Sequence, residues 1–247
     1  VYTALVSLLI GATAGVVWTL LDLWKGWQMG IVLCILVFMV AFFVISRIIS
    51  RRIEPEFLAV QKQMQAGATR SAIQGLEALL PMARWQVMLK GQIYAQLGCL
   101  QYTLGDDKDA AESLTRASRR SAEAQLFLAA LQVRQKQIDQ AKKTLEDTIA
   151  FNKKQMLPYN ALAWLLVKEG ERKEAIDVLL RAEKADKDSE ATKDNLNRVQ
   201  NGKKLNMKRF GMSWYALKLE NPPASMRQAP PGMPRRGFRQ KRKGGKR

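Results

Sequence analysis

The sequence predicts an all-α chain in three parts: an N-terminal two-helix transmembrane hairpin, an α-solenoid of helical repeats and a disordered basic tail. Three observations carry this. Two apolar stretches, Val1 to Leu21 and Met29 to Ile49, open the chain. Four alanine–leucine pairs follow at i, i+4 spacing, Ala72/Leu76, Ala110/Leu114, Ala141/Leu145 and Ala175/Leu179, with their alanines 38, 31 and 34 residues apart. Residues 203–247 then carry 14 Lys/Arg against one acid, Glu220.

Each apolar stretch is long enough to span. At about 1.5 Å per residue, a helix of this length matches a hydrocarbon core roughly 30 Å thick. The connection, Asp22 to Gln28, holds one acid, one base and the indoles Trp24 and Trp27, with Trp18 one turn earlier; indoles suit the membrane interface. A cleaved signal peptide would want a basic start, a shorter apolar region and a small-residue cleavage site, which the stretch before Asp22 does not display. Arg47, Arg51, Arg52 and Lys62 follow the second stretch, so the positive-inside bias puts the rest of the chain on the cytoplasmic side of a bacterial inner membrane. Ser7, Gly11 and Gly15 share one helical face, where small side chains allow close approach. That face serves either packing within the hairpin or oligomerisation with another copy.

The net charge of +18 belongs to the tail, because residues 1–46 hold one acid and one base and the repeat region is only mildly basic. The chain has no histidine and two cysteines, which removes His-dependent catalysis and leaves no Cys/His cluster of metal-binding spacing. Cys34 in a span and Cys99 in a repeat helix suit buried small hydrophobes, not a mutual disulfide. No cofactor and no catalytic constellation is expected.

From Glu54 to Lys184 the apolar pattern has helical period. Gly67, Gly105 and Gly170 each precede a repeat alanine by five residues, where one helix must turn into the next; in the remaining unit that position is Lys136. In the best unit, Tyr94-x2-Leu97-Gly98 precedes Gly105, and Ala110-x3-Leu114-x2-Ala117 follows. This resembles the tetratricopeptide repeat, whose two antiparallel helices carry W-x2-L-G-x2-Y and A-x3-F motifs. The resemblance implies that Gly98 and Ala110 sit where the helices of a unit touch, with Leu97 and Leu114 beside them. Leu128-Ala129 with Ala141-x3-Leu145, and Tyr159-x2-Leu162-Ala163 with Ala175-x3-Leu179-x2-Ala182, match in part. The first unit keeps Gly67 and Ala72-x3-Leu76, but its leading helix, Phe57 to Ala66, lacks the Leu-Gly pair. Residues 1–49 therefore form the hairpin and 50–187 hold three to four repeats; 188–205 form a polar capping helix, needed for a solenoid to stay soluble. Asp106, Asp107 and Asp109, directly after Gly105, fit helix N-capping and dipole complementarity better than a cation site.

In the family that the motifs resemble, partners lie in the concave groove lined by the first helix of each unit. The implied lining is Gln92, Cys99, Tyr102, Arg134, Asn160, Trp164 and Lys168, with Tyr102 and Trp164 serving either the groove or packing between units. It does not reproduce the Lys/Asn clamp that grips a C-terminal carboxylate. Membrane-anchored repeat proteins of the lipopolysaccharide assembly regulator type are excluded, because the required cysteines are missing and two spans are present.

Residues 206–221 form an aromatic segment in which Phe210, Trp214 and Leu217 fall at i, i+4 and i+7. That apolar face docks on the chain's own solenoid or on a partner, since it would be hazardous uncovered. Residues 222–247 hold no acid and five of the eight prolines, a composition that cannot bury a core. The cations Arg235, Arg236, Arg239, Lys241, Arg242, Lys243, Lys246 and Arg247 suit a polyanion, either anionic lipid or ribosomal RNA, or they simply keep the chain soluble. The expected function is a scaffold that binds a protein client in the groove and assembles it at the membrane. The alternative is a ribosome or RNA tether acting through the tail, and an enzyme subunit made active by a partner also stays open.

Overall fold

The computed structural model describes residues 2–21, 26–85 and 88–223. No strand occurs among them. Trp24, the side chain of Trp27, and the tail cations Arg235, Arg236, Arg239, Lys241, Arg242, Lys243, Lys246 and Arg247 lie outside the described residues.

Helix α1 (Tyr2–Leu20) runs antiparallel to the first half of α2 (Gly26–Gln65). The contact is a stripe of small residues: Thr3, Ser7, Gly11 and Gly15 are the buried positions of α1. A β-carbon at Gly11 would stand 2.7 Å from the Cys34 carbonyl oxygen, and one at Gly15 would stand 2.9 Å from that of Gly30. Two helices approach this closely only where side chains are absent. Ser7, Gly11 and Gly15 are thus consumed inside the hairpin and are not free to join a second copy. The outward positions are apolar instead: Leu5, Leu8, Leu9, Val16, Leu20, Val32, Leu36, Met39 and Phe43 are 52–79% exposed. Both helices are long and apolar enough to cross a membrane.

No break occurs at residue 49 or 50. Helix α2 continues through Pro55 to Gln65 because Ile49, Ile53, Phe57 and Val60 prolong one apolar stripe, which packs on α3 (Thr69–Leu79). Val60 lies so near Gly75 that a β-carbon there would meet it at 2.7 Å. The second half of α2 is therefore the leading helix of a full first unit, and it starts well before Phe57. After α3, Met82–Arg84 form a 3-10 turn. Here the Thr3 hydroxyl donates to the Trp85 carbonyl, and the Tyr2 and Trp85 rings lie 5.6 Å apart, joining the start of α1 to the first unit.

Three further helix pairs follow: α4 (Leu89–Leu104) with α5 (Asp107–Arg116), α6 (Ala122–Arg134) with α7 (Ile138–Phe151), and α8 (Met156–Glu169) with α9 (Arg172–Ala185). The repeat alanines Ala72, Ala110, Ala141 and Ala175 are all fully buried. At Gly98 a β-carbon would fall 2.6 Å from Leu114, which is why the Leu-Gly pair sits opposite the alanine motif. The inter-helix turns have left-handed backbone: φ is +75° at Gly67, +94° at Gly105, +90° at Gly170 and +61° at Lys136. Lys136 therefore holds a glycine conformation with a side chain attached. Asp106 occupies the N-cap of α5 without a side-chain capping bond, so the expected cap is not made; Asp107 and Asp109 stand in the first turn, favourable to the helix dipole.

Helix α10 (Glu190–Gln200) closes the stack, burying Leu196 and Val199 together with two polar residues, Thr192 and Asn195. The following segment is not one helix. Met207–Phe210 form a 3-10 turn, Gly211 reverses the chain at φ +57°, and α11 (Met212–Tyr215) is a single turn. Met207, Trp214, Tyr215 and Leu217 are buried in the solenoid core, whereas Phe210 packs at its edge. The segment thus docks on its own chain through Trp214 and Leu217, with Phe210 at the edge, but as two turns broken at Gly211 and not as one continuous helical face.

Candidate functional site: a self-filled concave groove

The leading helices α4, α6 and α8 line the groove with large groups set among small ones. The Tyr102 ring of α4 lies 4.6 Å from that of Phe127 of α6 in a tilted contact, and Trp164 of α8 lies with Ala129, Ala130 and Ala161 along one trough. Alanine at these sites leaves a trough between the rings. The trough is occupied: Leu217 and Leu219 sit among Leu126, Ala129, Val133, Trp164 and Leu165, with a residual void of only about 10 Å³.

Polar contacts fix the docked segment. The Tyr102 hydroxyl donates to the Leu217 carbonyl, and Lys218 Nζ donates to the Tyr102 carbonyl at 2.9 Å. Glu220 accepts from two indoles at once, Trp164 Nε1 at 2.8 Å and Trp214 Nε1 at 3.0 Å; the two rings meet edge to face at 5.2 Å. A carboxylate placed between two N–H donors makes charge-assisted bonds, stronger than neutral ones. Glu220 is the single acid of residues 203–247, a signal that could have marked it in the sequence.

Charge is concentrated around Tyr102. Arg134 and Lys218 stand 5.5 and 5.0 Å from its ring centroid. Burial raises the Tyr102 phenol above its ordinary pKa, with Arg134 offsetting part of the rise. Burial and the neighbouring Arg134 charge lower that of Lys218. Arg134 also pairs with Asp107, bridging the second and third units. Lys168 lies 5.0 Å over the Trp164 ring, a cation–π contact.

The seven expected lining residues thus divide. Tyr102 and Trp164 are in the groove and in contact with the chain's own C-terminal segment. Arg134 and Lys168 stand at its rim, each engaged with a neighbour. Gln92 is exposed on α4. Cys99 is partly buried, its thiol pushed up to about 12 by burial with a smaller contribution from Glu123. Asn160 is not a lining residue: it is fully buried, donating to Met156 O at 2.8 Å and to Thr192 Oγ1 at 3.1 Å while accepting from Asn195 Nδ2 at 2.8 Å. Asn195 in turn accepts from the Asn206 backbone N–H at 2.6 Å. This network fastens the capping helix to α8 and aims the chain into the groove. Sequence periodicity placed Asn160 on the right helix, but an asparagine reads alike whether it faces water or a buried partner.

Part of the groove stays open. A cleft of about 540 Å³ runs along the docked segment, bounded by Arg120, Glu123, Leu126, Gln155, Ser213 and Ala216. Its lining offers donors, acceptors and apolar area to a peptide. No group of three or more His, Cys, Asp or Glu residues that could hold a metal ion occurs among the described residues.

A family model described as tetratricopeptide repeat matches residues 158–189, the fourth helix pair. No curated protein matches. Among solved structures, a crystal structure of MamA shares 22% identity at a TM-score of 0.48, covering 64% of this chain and 92% of that one. MamA from Desulfovibrio magneticus RS-1 shares 16% identity at 0.46, covering 67% and 92%. Kinesin light chain TPR-like repeats from Podosopora anserina share 15% at 0.47, covering 68% and 92%. These likenesses say nothing about ligands.

Proposed function

We propose that this chain, whose residues 158–189 match a tetratricopeptide repeat model, is a protein-interaction scaffold whose groove is held by residues 207–220 until a client competes for it. The observation that carries this is Glu220, whose carboxylate receives N–H bonds from Trp164 of the groove and Trp214 of the docked segment. These are contacts that a peptide ligand would make, supplied from within the chain. A client carrying an aromatic residue and a nearby carboxylate reproduces them.

The hairpin supports a membrane-anchored form of this function. Apolar side chains exposed along both helices have no protein partner in the fold, and a continuous outward band of this kind suits lipid. The anchor restricts the solenoid to the membrane plane and raises the effective concentration of any client held there. Arg47, Arg51, Arg52 and Lys62, beyond the second span, support a cytoplasmic placement of the solenoid in this reading.

Crosslinking in intact membranes tests the proposal. Glu220→Ala, which loosens the segment, raises client capture, and Trp164→Ala abolishes it. Capture indifferent to Trp164→Ala puts the client on another face and refutes the proposal. A version lacking residues 224–247 separates the tail: RNA and ribosomal proteins lost with it, with no protein client dependent on Trp164, would make the tail the functional element.

A further inference from the structure

At the junction of hairpin and solenoid lies a second cleft, of about 320 Å³, lined by Ile45, Ile48, Ile49, Arg52, Met82 and Trp85. Five apolar side chains and one cation form it. Its long axis follows α2: from Ile45 to Arg52 the helix rises about 10 Å. The residues are graded along that axis, with isoleucines toward the hairpin and the guanidinium toward the solenoid. Ile48 is 51% exposed and continues the outward apolar band of α2 without a step. Tyr2 and Trp85 meet at this level, ring centroids 5.6 Å apart, which places two amphipathic aromatics where the apolar band ends. All described ion pairs lie at or beyond Asp107, so the Arg52 guanidinium is uncommitted among the described residues.

We propose that this cleft is a binding site for one anionic phospholipid, with an acyl chain along Ile45, Ile48, Ile49 and Met82 and the headgroup phosphate on Arg52. The inference rests on the membrane anchoring proposed above. Two features select this occupant over another helix or a zwitterionic lipid. The cleft opens from the lipid-facing band itself, so the ligand enters sideways from the bilayer. A cation alone at the polar end, beside a tryptophan at interface depth, matches a phosphate linked to a hydrocarbon chain. The site is separate from the basic tail, which lies more than a hundred residues later in the sequence. A lipid here wedges between α2 and the 3-10 turn and sets the angle at which the first repeat leaves the membrane.

The test uses the full chain reconstituted into vesicles of brominated phosphatidylglycerol or brominated phosphatidylcholine, with a Trp85→Phe variant subtracted to isolate Trp85 emission. Brominated phosphatidylglycerol should quench Trp85 at about fivefold lower mole fraction, the preference that one basic residue near an anionic surface confers. Arg52→Ala should remove the preference, whereas Arg51→Ala, an equal loss of charge outside the cleft, should keep it. Equal quenching by both lipids, or equal effects of the two arginine variants, overturns the site. Absence of Trp85 quenching in a chain that floats with the vesicles also overturns it, since something other than lipid then covers the cleft. A chain that does not float with vesicles at all refutes the membrane anchoring instead.

Discussion

The Tyr102 hydroxyl donates to the carbonyl of Leu217, 115 positions later in the chain, and this bond closes the groove from its N-terminal side. Both ends are buried, so neither partner can turn to water. Lys218, next in sequence, returns a bond to the Tyr102 carbonyl. One tyrosine thereby anchors the docked segment through its side chain and its backbone together.

Tyr102→Phe removes the donor and leaves the Leu217 carbonyl buried and unpaired, at a cost of about 1–2 kcal/mol. Urea unfolding of the solenoid should register that loss. Trypsin should also cut faster after Lys218, because the segment opens more often. Unchanged cleavage after Lys218 would mean that the hydroxyl does not hold the segment.

Glu220→Gln keeps the shape and one acceptor oxygen but removes the charge shared by Trp164 and Trp214. The indoles use different oxygens of Glu220, so one keeps a neutral bond while the other faces the amide NH2 donor to donor, a loss of about 1–3 kcal/mol. Hydrogen exchange over residues 207–220 should accelerate by about fivefold or more, while α6 and α7 keep their protection. Acceleration spread evenly over the solenoid would show a general loss of stability in place of a local latch.

What was legible in the sequence was whatever is periodic. The buried alanines, the Gly98–Leu114 contact and the turn at Lys136 all follow from spacing and side-chain size. The span of α2 was harder, because Arg51, Arg52, Glu54 and Pro55 look like an interruption, although the stripe from Ile49 to Val60 carries the helix through. Occupancy of the groove was only half readable. The aromatic content of residues 206–221 implied docking, but the chain turns at Gly211, and a turn that depends on one φ leaves no period to read. Asn160 and Asp107 engage partners distant in sequence, Thr192 with Asn195 and Arg134, and such pairings leave no local trace.

Cys99 offers a pH-dependent readout. Burial holds its thiol near 12, against an ordinary 9.0. Above pH 9 the unfolded chain releases this proton while the folded chain keeps it. The group therefore has no effect on stability below pH 9 and lowers it progressively as pH rises toward 12. In a Cys34→Ala background at pH 8, alkylation of Cys99 by iodoacetamide should run about a thousandfold slower than in denaturant. Rapid native labelling would place the thiol in contact with solvent.

Asn160→Leu should cost about 2–3 kcal/mol, since it leaves the buried Asn195 amide without its carbonyl acceptor and removes a donor from the Thr192 hydroxyl, which keeps only Ser189. A shift of about 5 °C or more in thermal unfolding is expected for a chain of this size. The segment from Asn206 onward should loosen with it, because Asn195 positions that backbone. A loss below about 0.5 kcal/mol would mean that water satisfies these groups.

The turns give a paired prediction with opposite signs. Gly105 holds φ at +94° with open space around its α-carbon, so Gly105→Ala meets no clash and suffers only the backbone strain of an L-residue in the left-handed region, about 1–2 kcal/mol. Lys136 already bears that strain at φ +61°. Lys136→Gly relieves it, and the added freedom of glycine in the unfolded chain takes back about 0.5–1 kcal/mol. The net gain should be about 0.5 kcal/mol, a small rise in the urea midpoint with unchanged slope. Lys136→Gly that destabilises by as much as Gly105→Ala would show that the lysine side chain holds the third turn by contacts and that conformation is not the controlling factor.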